Sequence, residues 1–432
     1  MYRGRIKNIH FIGIGGAGMS GLAEVLLNLG YKISGSDLRP SVVTRRLREL
    51  GIDIFIGHRK EHIHGVDVVV HSSAVKMNNP EIQTAIEQQI PVIPRAEMLA
   101  ELMRVKYGIA VAGTHGKTTT TSMIAAMLGH CGFDPTVVIG GKLNSMGSNA
   151  KLGKGEYLVA EADESDGSFI KLSPTIAVVT NIDREHMDYY RDMNDVKERY
   201  LNFINKVPFY GCAILCLDHI NIQGFMPLVA RRHITYGLTV QSDVSARDVE
   251  FKEMVSSYWL WYKGESMGRI SVEMPGKHNV YNSLAAIAVA LELGMDFNQI
   301  ADGLKEFSGV QRRFQIKGIK RDIIVVDDYG HHPEEIRATL KAAKEGWGRR
   351  IVAVFQPHRY SRTKDLFRDF FSAFNDADKL VITDIYPAGE DSIEDISSEG
   401  LVDGIKAYGH KDVVYIPRKE DVSEYLMDIL SA

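Results

Sequence analysis

The chain has 432 residues, which sets an expectation of about three domains at ~150 residues each. Hydrophobic residues make up 45% and charged residues 25%, which excludes a mostly disordered chain. Lysine and arginine number 51 against 55 aspartates and glutamates, a net charge of −4, without the basic footprint of a nucleic-acid binder.

The opening stretch MYRGRIKNIHFIGIGG lacks the long apolar core and cleavage site of a secretion signal, and its glycines suit a strand and turn. A strand is predicted over 6–12, then a glycine turn and a helix to residue 29. A second strand over 31–34 ends at Asp37. Apolar pieces follow at 53–56, 66–70 and 91–93, and 96–106 reads as a helix leading out of the unit. Short strands alternating with helices imply a mostly parallel sheet with right-handed crossovers. A second unit opens at Tyr107, with a strand over 108–112, a helix to about residue 130, and strands at 157–160 and 176–180. Within 246–274, SSYWLWYKGESMGRISVEM holds two alternating runs around a KGES turn and predicts a β-hairpin. A helix begins near Asn279, with Gly294 as its C-cap. The third unit starts near Gly309. It reads as strand 321–327, helix 333–344, strand 351–355, helix 363–374, strand 380–384, and a closing helix, strand and helix.

These elements predict an α/β protein of three domains: 1–106, 107–308 and 309–432. The first and last are Rossmann-like, and the middle one is a P-loop domain with a mostly parallel sheet. No apolar run approaches the ~20 residues a membrane-crossing helix needs, so no membrane insertion is expected. The three cysteines, Cys131, Cys212 and Cys216, make no disulfide framework. Cys212 and Cys216, in GCAILCLDH, match no zinc spacing and read as buried strand residues of a cytoplasmic protein.

The strongest chemical signal is GTHGKTTTT, Gly113 to Thr121, between an apolar strand and a helix. Small residues let successive backbone N–H groups converge on phosphate oxygens. A lysine reaches the β- and γ-phosphates, and a hydroxyl binds Mg²⁺. Gly116, Lys117 and Thr118 supply these parts, and the helix N-terminus adds a field favourable to anions. Val111 stands where the longer loop consensus has its first glycine, so this is a shorter GxxGKT form. ATP or GTP binding follows; the bland alternative is a glycine turn with a solvated lysine.

GIGGAG, Gly13 to Gly18, satisfies the dinucleotide fingerprint, with Asp37 about 20 residues on to meet a ribose hydroxyl. Taken alone it suggests NAD, although any nucleotide diphosphate satisfies the same physics. The acidic run EADESD, Glu161 to Asp166, stands at a strand end suited to holding Mg²⁺. TNIDREHMD places His186 just beyond a neighbouring strand. In the third unit, DDYGHHP and PHRYSRT put polar groups at strand ends, where Arg359 and Arg362 suit a carboxylate or phosphate. His331, His332 and His358 lack zinc spacing and a thiolate partner. One chain thus carries a triphosphate loop, a diphosphate loop and a third cationic set. ATP-driven joining fits that combination, whereas hydride transfer leaves the P-loop unexplained.

Through GIGGAGMSG, GTHGKTTTT, EADESDGSF, TNIDREHMD, PGKHNVYNSLAA, GVQRRFQ, DDYGHHP and FQPHRYSRT, the sequence resembles the Mur ligases of bacterial cell-wall synthesis from end to end. The resemblance implies a UDP-binding first domain, a central ATPase and an amino-acid-binding third domain. It implies ATP and Mg²⁺ as cofactors, and joining of L-alanine to the carboxylate of UDP-N-acetylmuramate through an acyl phosphate. Catalysis would fall to Lys117, Glu161, His186 and Arg313, with Thr118, Glu161 and His186 as metal ligands. ATP would be held by Gly113, Thr114, His115, Gly116, Lys117, Thr118, Thr119, Asn279, Asn282 and Asp328. The UDP-substrate site would be Gly13, Gly15, Gly16, Ala17, Gly18, Ser36, Asp37, His71 and Ser72. The amino-acid pocket would be Tyr329, His331, His358, Arg359 and Arg362. Small-molecule partners and a monomer or homodimer are expected. Competing readings are a relative that accepts a recycled tripeptide, an NAD-dependent oxidoreductase, and a non-catalytic nucleotide switch.

Overall fold

The computed structural model describes residues 6–139, 150–187 and 189–430. Its described residues divide into two compact units. One takes in those up to Arg247 together with Trp259–Ile270 and Tyr281–Val310. The other takes in Asp248–Tyr258, Ser271–Val280 and those from Gln311 onward.

The first unit holds one sheet entire. Five parallel strands run in the order Asp53–Ile56, Lys32–Asp37, Asn8–Ile12, Val68–His71, Val92–Pro94. Ile9, Phe11, Ile12, Val69 and Val70 are fully buried, as in a parallel sheet covered on both faces. The strand order reverses at Asn8–Ile12, and the crevice beyond the carboxyl ends at such a reversal is where these sheets bind ligands. The helix Ala17–Asn28 starts there, directly after the glycine turn.

The central sheet runs Glu265–Val272, Val255–Tyr262, Val244–Lys252, His233–Gly237, Cys212–Cys216, Ile176–Val179, Tyr107–Ala112, Tyr157–Glu161, Thr136–Val138, Ala150–Lys151. Tyr107–Ala112 lies parallel between Ile176–Val179 and Tyr157–Glu161, with Val111 opposite both Val178 and Glu161. The P-loop, EADESD and TNIDREHMD therefore leave the sheet at one edge, side by side. Cys212 and Cys216 lie in a fully buried strand, and burial pushes both thiols up to about 12.

The expected hairpin has a third strand, Val244–Lys252. Lys263 and Gly264 both take positive φ, 49° and 86°, the combination that turns a tight two-residue hairpin. In the C-terminal region, Val352–Phe355, Lys379–Ile382 and Val413–Tyr415 form a parallel sheet, while Ile323–Asp327 pairs antiparallel with Gln315–Lys320. The predicted strand over 321–327 starts two residues late because Arg321 and Asp322 turn at positive φ. The predicted helix over 363–374 is instead a short helix, Tyr360–Asp365, and a 3-10 turn, Asp369–Ser372. Arg337 Nη2 donates to the Asp369 carbonyl at 2.7 Å and approaches Ser372 Oγ at 3.0 Å, so tertiary hydrogen bonds hold the turn.

The Phe355 ring meets those of Phe370 and Phe374 in tilted contacts at 5.6 and 5.2 Å in the core of this region, with Leu380, Leu401 and Ile405. Phe370→Ala is expected to cost about 3–5 kcal/mol of stability. Urea unfolding followed by circular dichroism checks this; a loss below 1 kcal/mol would show that Phe370 is not a packing centre.

Candidate active site

Gly113 leaves its strand at φ 137°, where an added Cβ would stand 2.0 Å from Thr180 Oγ1. Gly116, at φ 83°, precedes the helix Lys117–His130, and its Cβ would stand 2.3 Å from Asn282 Oδ1. Both positions thus require glycine through conformation and close approach. The strand Ile176–Val179 ends in the clamp that shapes the loop between them. Asn181 Oδ1 accepts the His115 N–H at 2.8 Å, and its Nδ2 donates to the His115 carbonyl at 3.0 Å. Thr180 Oγ1 donates to that carbonyl at 2.6 Å, and the Asp183 N–H reaches Thr114 Oγ1 at 2.8 Å. Sequence reasoning missed Thr180 and Asn181, although both lie in the motif that pointed to His186.

Lys117 Nζ donates to the carbonyls of Gly113 and Thr114, at 2.6 and 3.1 Å, and to Glu164 Oε1 at 2.7 Å. Burial pulls the ammonium's pKa down, but the Glu164 carboxylate more than compensates and holds it raised. Burial also pushes the Glu164 carboxyl up to about 7, against the pull of Lys117 and with the help of Asp163. Tyr190 donates to the Glu164 carbonyl.

Glu164, Glu185 and His186 bring ligand atoms within 4.8 Å of one another. Glu164 Oε2 is buried and lacks a hydrogen-bond partner among the described residues. His186 takes positive φ, 56°, a strained backbone for a residue other than glycine. Two carboxylates and an imidazole around an unsatisfied oxygen suit a hard divalent cation. Glu161 ends the adjacent strand, and Thr118 lies in the first turn of the P-loop helix. Glu164 and Glu185 join the predicted His186; both lie inside quoted motifs but were not singled out.

At the other loop, Gly13 turns at φ 78°, and its N–H and that of Ile14 donate to the Ser36 carbonyl at 2.8 and 3.1 Å. The Gly15 N–H donates to Asp37 Oδ2 at 2.8 Å, and a Cβ on Gly15 would collide with that oxygen at 2.7 Å. Gly16 is exposed at the helix start. The side chain of Ala17 lies outside the described residues. Ser72 follows the neighbouring strand, its Cβ 3.2 Å from where a Gly13 side chain would begin. His71 Nδ1 approaches the Ser72 carbonyl at 3.1 Å. The structure thus gathers the predicted glycines with Ser36, Asp37, His71 and Ser72. The Ser36 hydroxyl itself is turned inward to Glu81. Arg95 borders Gly18 and pairs with Asp163 at 3.0 Å.

Asn282 Oδ1 accepts from Thr120 Oγ1 at 3.3 Å, beside Gly116. Thr119 is buried in the same helix. Asn279, in contrast, donates through Nδ2 to the Pro275 carbonyl at 2.8 Å.

The second unit holds the remaining predicted residues. Asp328 accepts the N–H groups of Phe314 and Gly330 at 2.8 and 2.7 Å. Arg313 Nη1 pairs with Glu335 at 3.4 Å, and the guanidinium carbon lies 5.5 Å from the Tyr329 ring centre. Tyr329 and His331 meet edge to face at 5.2 Å. His358 Nδ1 is 3.3 Å from Arg362 Nη1, and Arg359 pairs with Glu390 at 3.3 Å. Burial, then Arg362, His331 and Arg359, hold the His358 pKa below its usual value, so a neutral imidazole stands among the guanidinium groups of Arg359 and Arg362.

Two glycine loops beyond the carboxyl ends of parallel strands, one carrying a largely buried lysine, define a nucleotide-using α/β enzyme. Models of the Mur ligase family match in chain order: its catalytic domain over 8–107, its middle domain over 111–290, and its glutamate ligase domain over 312–432. The chain belongs to the Mur ligase family. It is 62% identical to the UDP-N-acetylmuramate–L-alanine ligase of Geotalea uraniireducens over 99% of this chain and 93% of that one. Identity to the ligase of the same name from Geobacter sulfurreducens is 59%, with the same coverage. Among solved structures, UDP-N-acetylmuramate-alanine ligase from Thermotoga maritima superposes with TM-score 0.82 at 30% identity, covering 98% of this chain and 93% of that one. A murein peptide ligase from Psychrobacter arcticus gives 0.71 at 25% identity, covering 99% and 94%.

Gly116→Ala is expected to weaken ATP binding roughly tenfold, since strain of about 1–3 kcal/mol falls on the loop itself. Calorimetric titration with ATP checks this. Unchanged affinity in a folded variant would remove the geometric requirement for glycine.

Proposed function

We propose that the chain is an ATP-dependent ligase that joins L-alanine to the carboxylate of UDP-N-acetylmuramate in peptidoglycan synthesis. The observation that carries this is Arg95. It borders the diphosphate-type loop at Gly18 and pairs with Asp163 of the acidic motif beside the P-loop, linking two phosphate sites within one compact unit. An oxidoreductase needs only the first of those loops. The relatives' shared name supports the choice of amino acid. No helix among the described residues is long and apolar enough to cross a membrane, and we assign the enzyme to the cytoplasm. The working division is 1–106 for the UDP-substrate, 107–308 for ATP and 309–432 for the amino acid.

The muramate carboxylate oxygen attacks the γ-phosphorus, the bond to the β-bridging oxygen breaks, and ADP leaves. The alanine amine then attacks the acyl carbon, loses a proton, and expels phosphate with one former carboxylate oxygen. Lys117 holds the β- and γ-phosphates and offsets the charge that spreads over the transferring group. Gly113, Thr114, His115, Gly116, Thr118 and Thr119 cradle the phosphates, with Asn279, Asn282 and Asp328 on the nucleoside. Arg313 contributes a further cation. Thr118, Glu161 and His186, with Glu164 and Glu185 nearby, would hold Mg²⁺, which when bound would neutralise charge on the phosphate oxygens. Gly13, Gly15, Gly16, Ala17, Gly18, Asp37, His71 and Ser72 receive the UDP moiety, with Ser36 supporting them. Tyr329, His331, His358, Arg359 and Arg362 form the amino-acid pocket, where the arginines meet the alanine carboxylate.

Phosphate release from ATP, Mg²⁺ and UDP-N-acetylmuramate is expected to depend on L-alanine and to yield the amide. Release only with the muramyl tripeptide's free peptide would make the chain a murein peptide ligase; silence with both would make it a non-catalytic nucleotide binder. Lys117→Ala is expected to abolish release while UDP-sugar binding persists. Equal loss of both activities would contradict the separate roles of the two loops.

A further inference from the structure

Glu81 is fully buried in the first helical turn of Pro80–Glu87, and its carboxylate is held by groups 19 to 45 residues away in sequence. Its Oε2 accepts from Ser36 Oγ at 2.6 Å and faces His58 Nδ1 at 3.0 Å. Its Oε1 faces His62 Nδ1 at 2.6 Å, and His10 Nε2 stands at 3.8 Å, beyond hydrogen-bond reach. An ionised carboxylate only accepts, so the imidazole nitrogens at 2.6 and 3.0 Å donate to it. The donors come from separate places in the chain: the end of strand Lys32–Asp37, the loop after Asp53–Ile56, and the 3-10 turn Lys60–Ile63. Phe55 stacks on His62 at 4.3 Å and fixes that ring. Burial raises the Glu81 pKa, but His10, Ser36 and His62 outweigh it and bring it down to about 2. Glu81 is therefore a fixed anion at neutral pH.

Ser36 is the link outward. Its hydroxyl is held by Glu81, while its carbonyl accepts from Gly13 and Ile14. The next residue, Asp37, holds the Gly15 N–H through its side chain and accepts from the Gly57 N–H through its carbonyl. The whole glycine turn thus hangs on the Ser36–Asp37 dipeptide, which Glu81 anchors from behind.

We propose that Glu81 is a positioning residue for the UDP-substrate loop, acting through the Ser36 hydroxyl. This rests on the reading of the Gly13–Gly18 loop as the UDP-substrate site. Glu81 does not touch the ligand. It sets the place of the turn that opens the helix Ala17–Asn28, while the ATP loop is shaped by Thr180 and Asn181 and does not depend on it.

The test uses full-length enzyme, with UDP as the binding probe and UDP-N-acetylmuramate as the kinetic one. Glu81→Gln keeps the shape but puts an NH₂ where one oxygen accepted. Losing a charge-assisted hydrogen bond of this kind corresponds to roughly tenfold. The expected result is a rise of that size in the UDP Kd and the UDP-N-acetylmuramate KM, with KM for ATP and kcat within about twofold. Ser36→Ala, which removes the link together with the Ser36 Oγ contact to His58 Nδ1 at 3.0 Å, is expected to reproduce the rise and serves if Glu81→Gln fails to fold. The double variant is expected to be no worse than either single one, because both break the same connection. Additive losses, or equal losses for ATP and UDP, would overturn the proposal in favour of a general packing role. Unchanged UDP binding in folded Glu81→Gln or Ser36→Ala would overturn it while wild-type binding leaves the loop's assignment standing. Wild-type enzyme that does not bind UDP would overturn the assignment and the proposal together.

Discussion

A largely buried ammonium needs an anion, and the rest of the central site follows from how Lys117 finds one. An unpaired charge at that depth would cost several kcal/mol. Glu164 supplies the partner at 2.7 Å, and two loop carbonyls take the remaining donors. The acidic motif is thereby fixed against the P-loop, which requires their strands to be neighbours, as Tyr107–Ala112 and Tyr157–Glu161 are. Glu185 and His186, from the strand on the other side, close the group around the same carboxylate. A triphosphate entering here adds negative charge beside an existing carboxylate. The acidic residues that crowd Lys117 are also the ones suited to recruit a compensating cation.

The molecule builds the same glycine turn twice from the same parts. Each time a buried parallel strand ends in a glycine turn that opens a helix. The supports differ. Around Gly113 to Gly116 the neighbouring strand end grips the loop directly through Thr180 and Asn181. Around Gly13 to Gly15 the grip passes through Ser36 and Asp37 to a carboxylate buried behind the sheet. The two loops can therefore be perturbed separately, although one compact unit holds both.

Much of this was legible in the sequence because it is local. Buried parallel strands such as IHFI and IAVVT read as apolar runs, and the glycines of both loops announced turns that other residues cannot make. The strand Gln315–Lys320 was not legible, since QIKGIK is mostly exposed and carries no apolar face. The break in the helix over 363–374 depends on Arg337, some distance back in the chain, and no window of sequence contains both partners. The same holds for the supports of the site. Arg95 and Asp163 lie 68 residues apart and Ser36 and Glu81 lie 45 apart, so each reads alone as an ordinary polar residue. Glu164 and Asn181 were within reach, because they stand inside motifs whose other members had been chosen.

The central claim is that the substrate carboxylate is activated by phosphorylation at the P-loop before the amine attacks. The direct measurement uses UDP-N-acetylmuramate labelled with heavy oxygen in its carboxylate, incubated with ATP, Mg²⁺ and L-alanine. Mass spectrometry of the products follows the label. The account requires one labelled oxygen in each inorganic phosphate and the other in the new amide carbonyl. Unlabelled phosphate formed alongside fully labelled product would contradict it, because the carboxylate would never have carried the phosphoryl group.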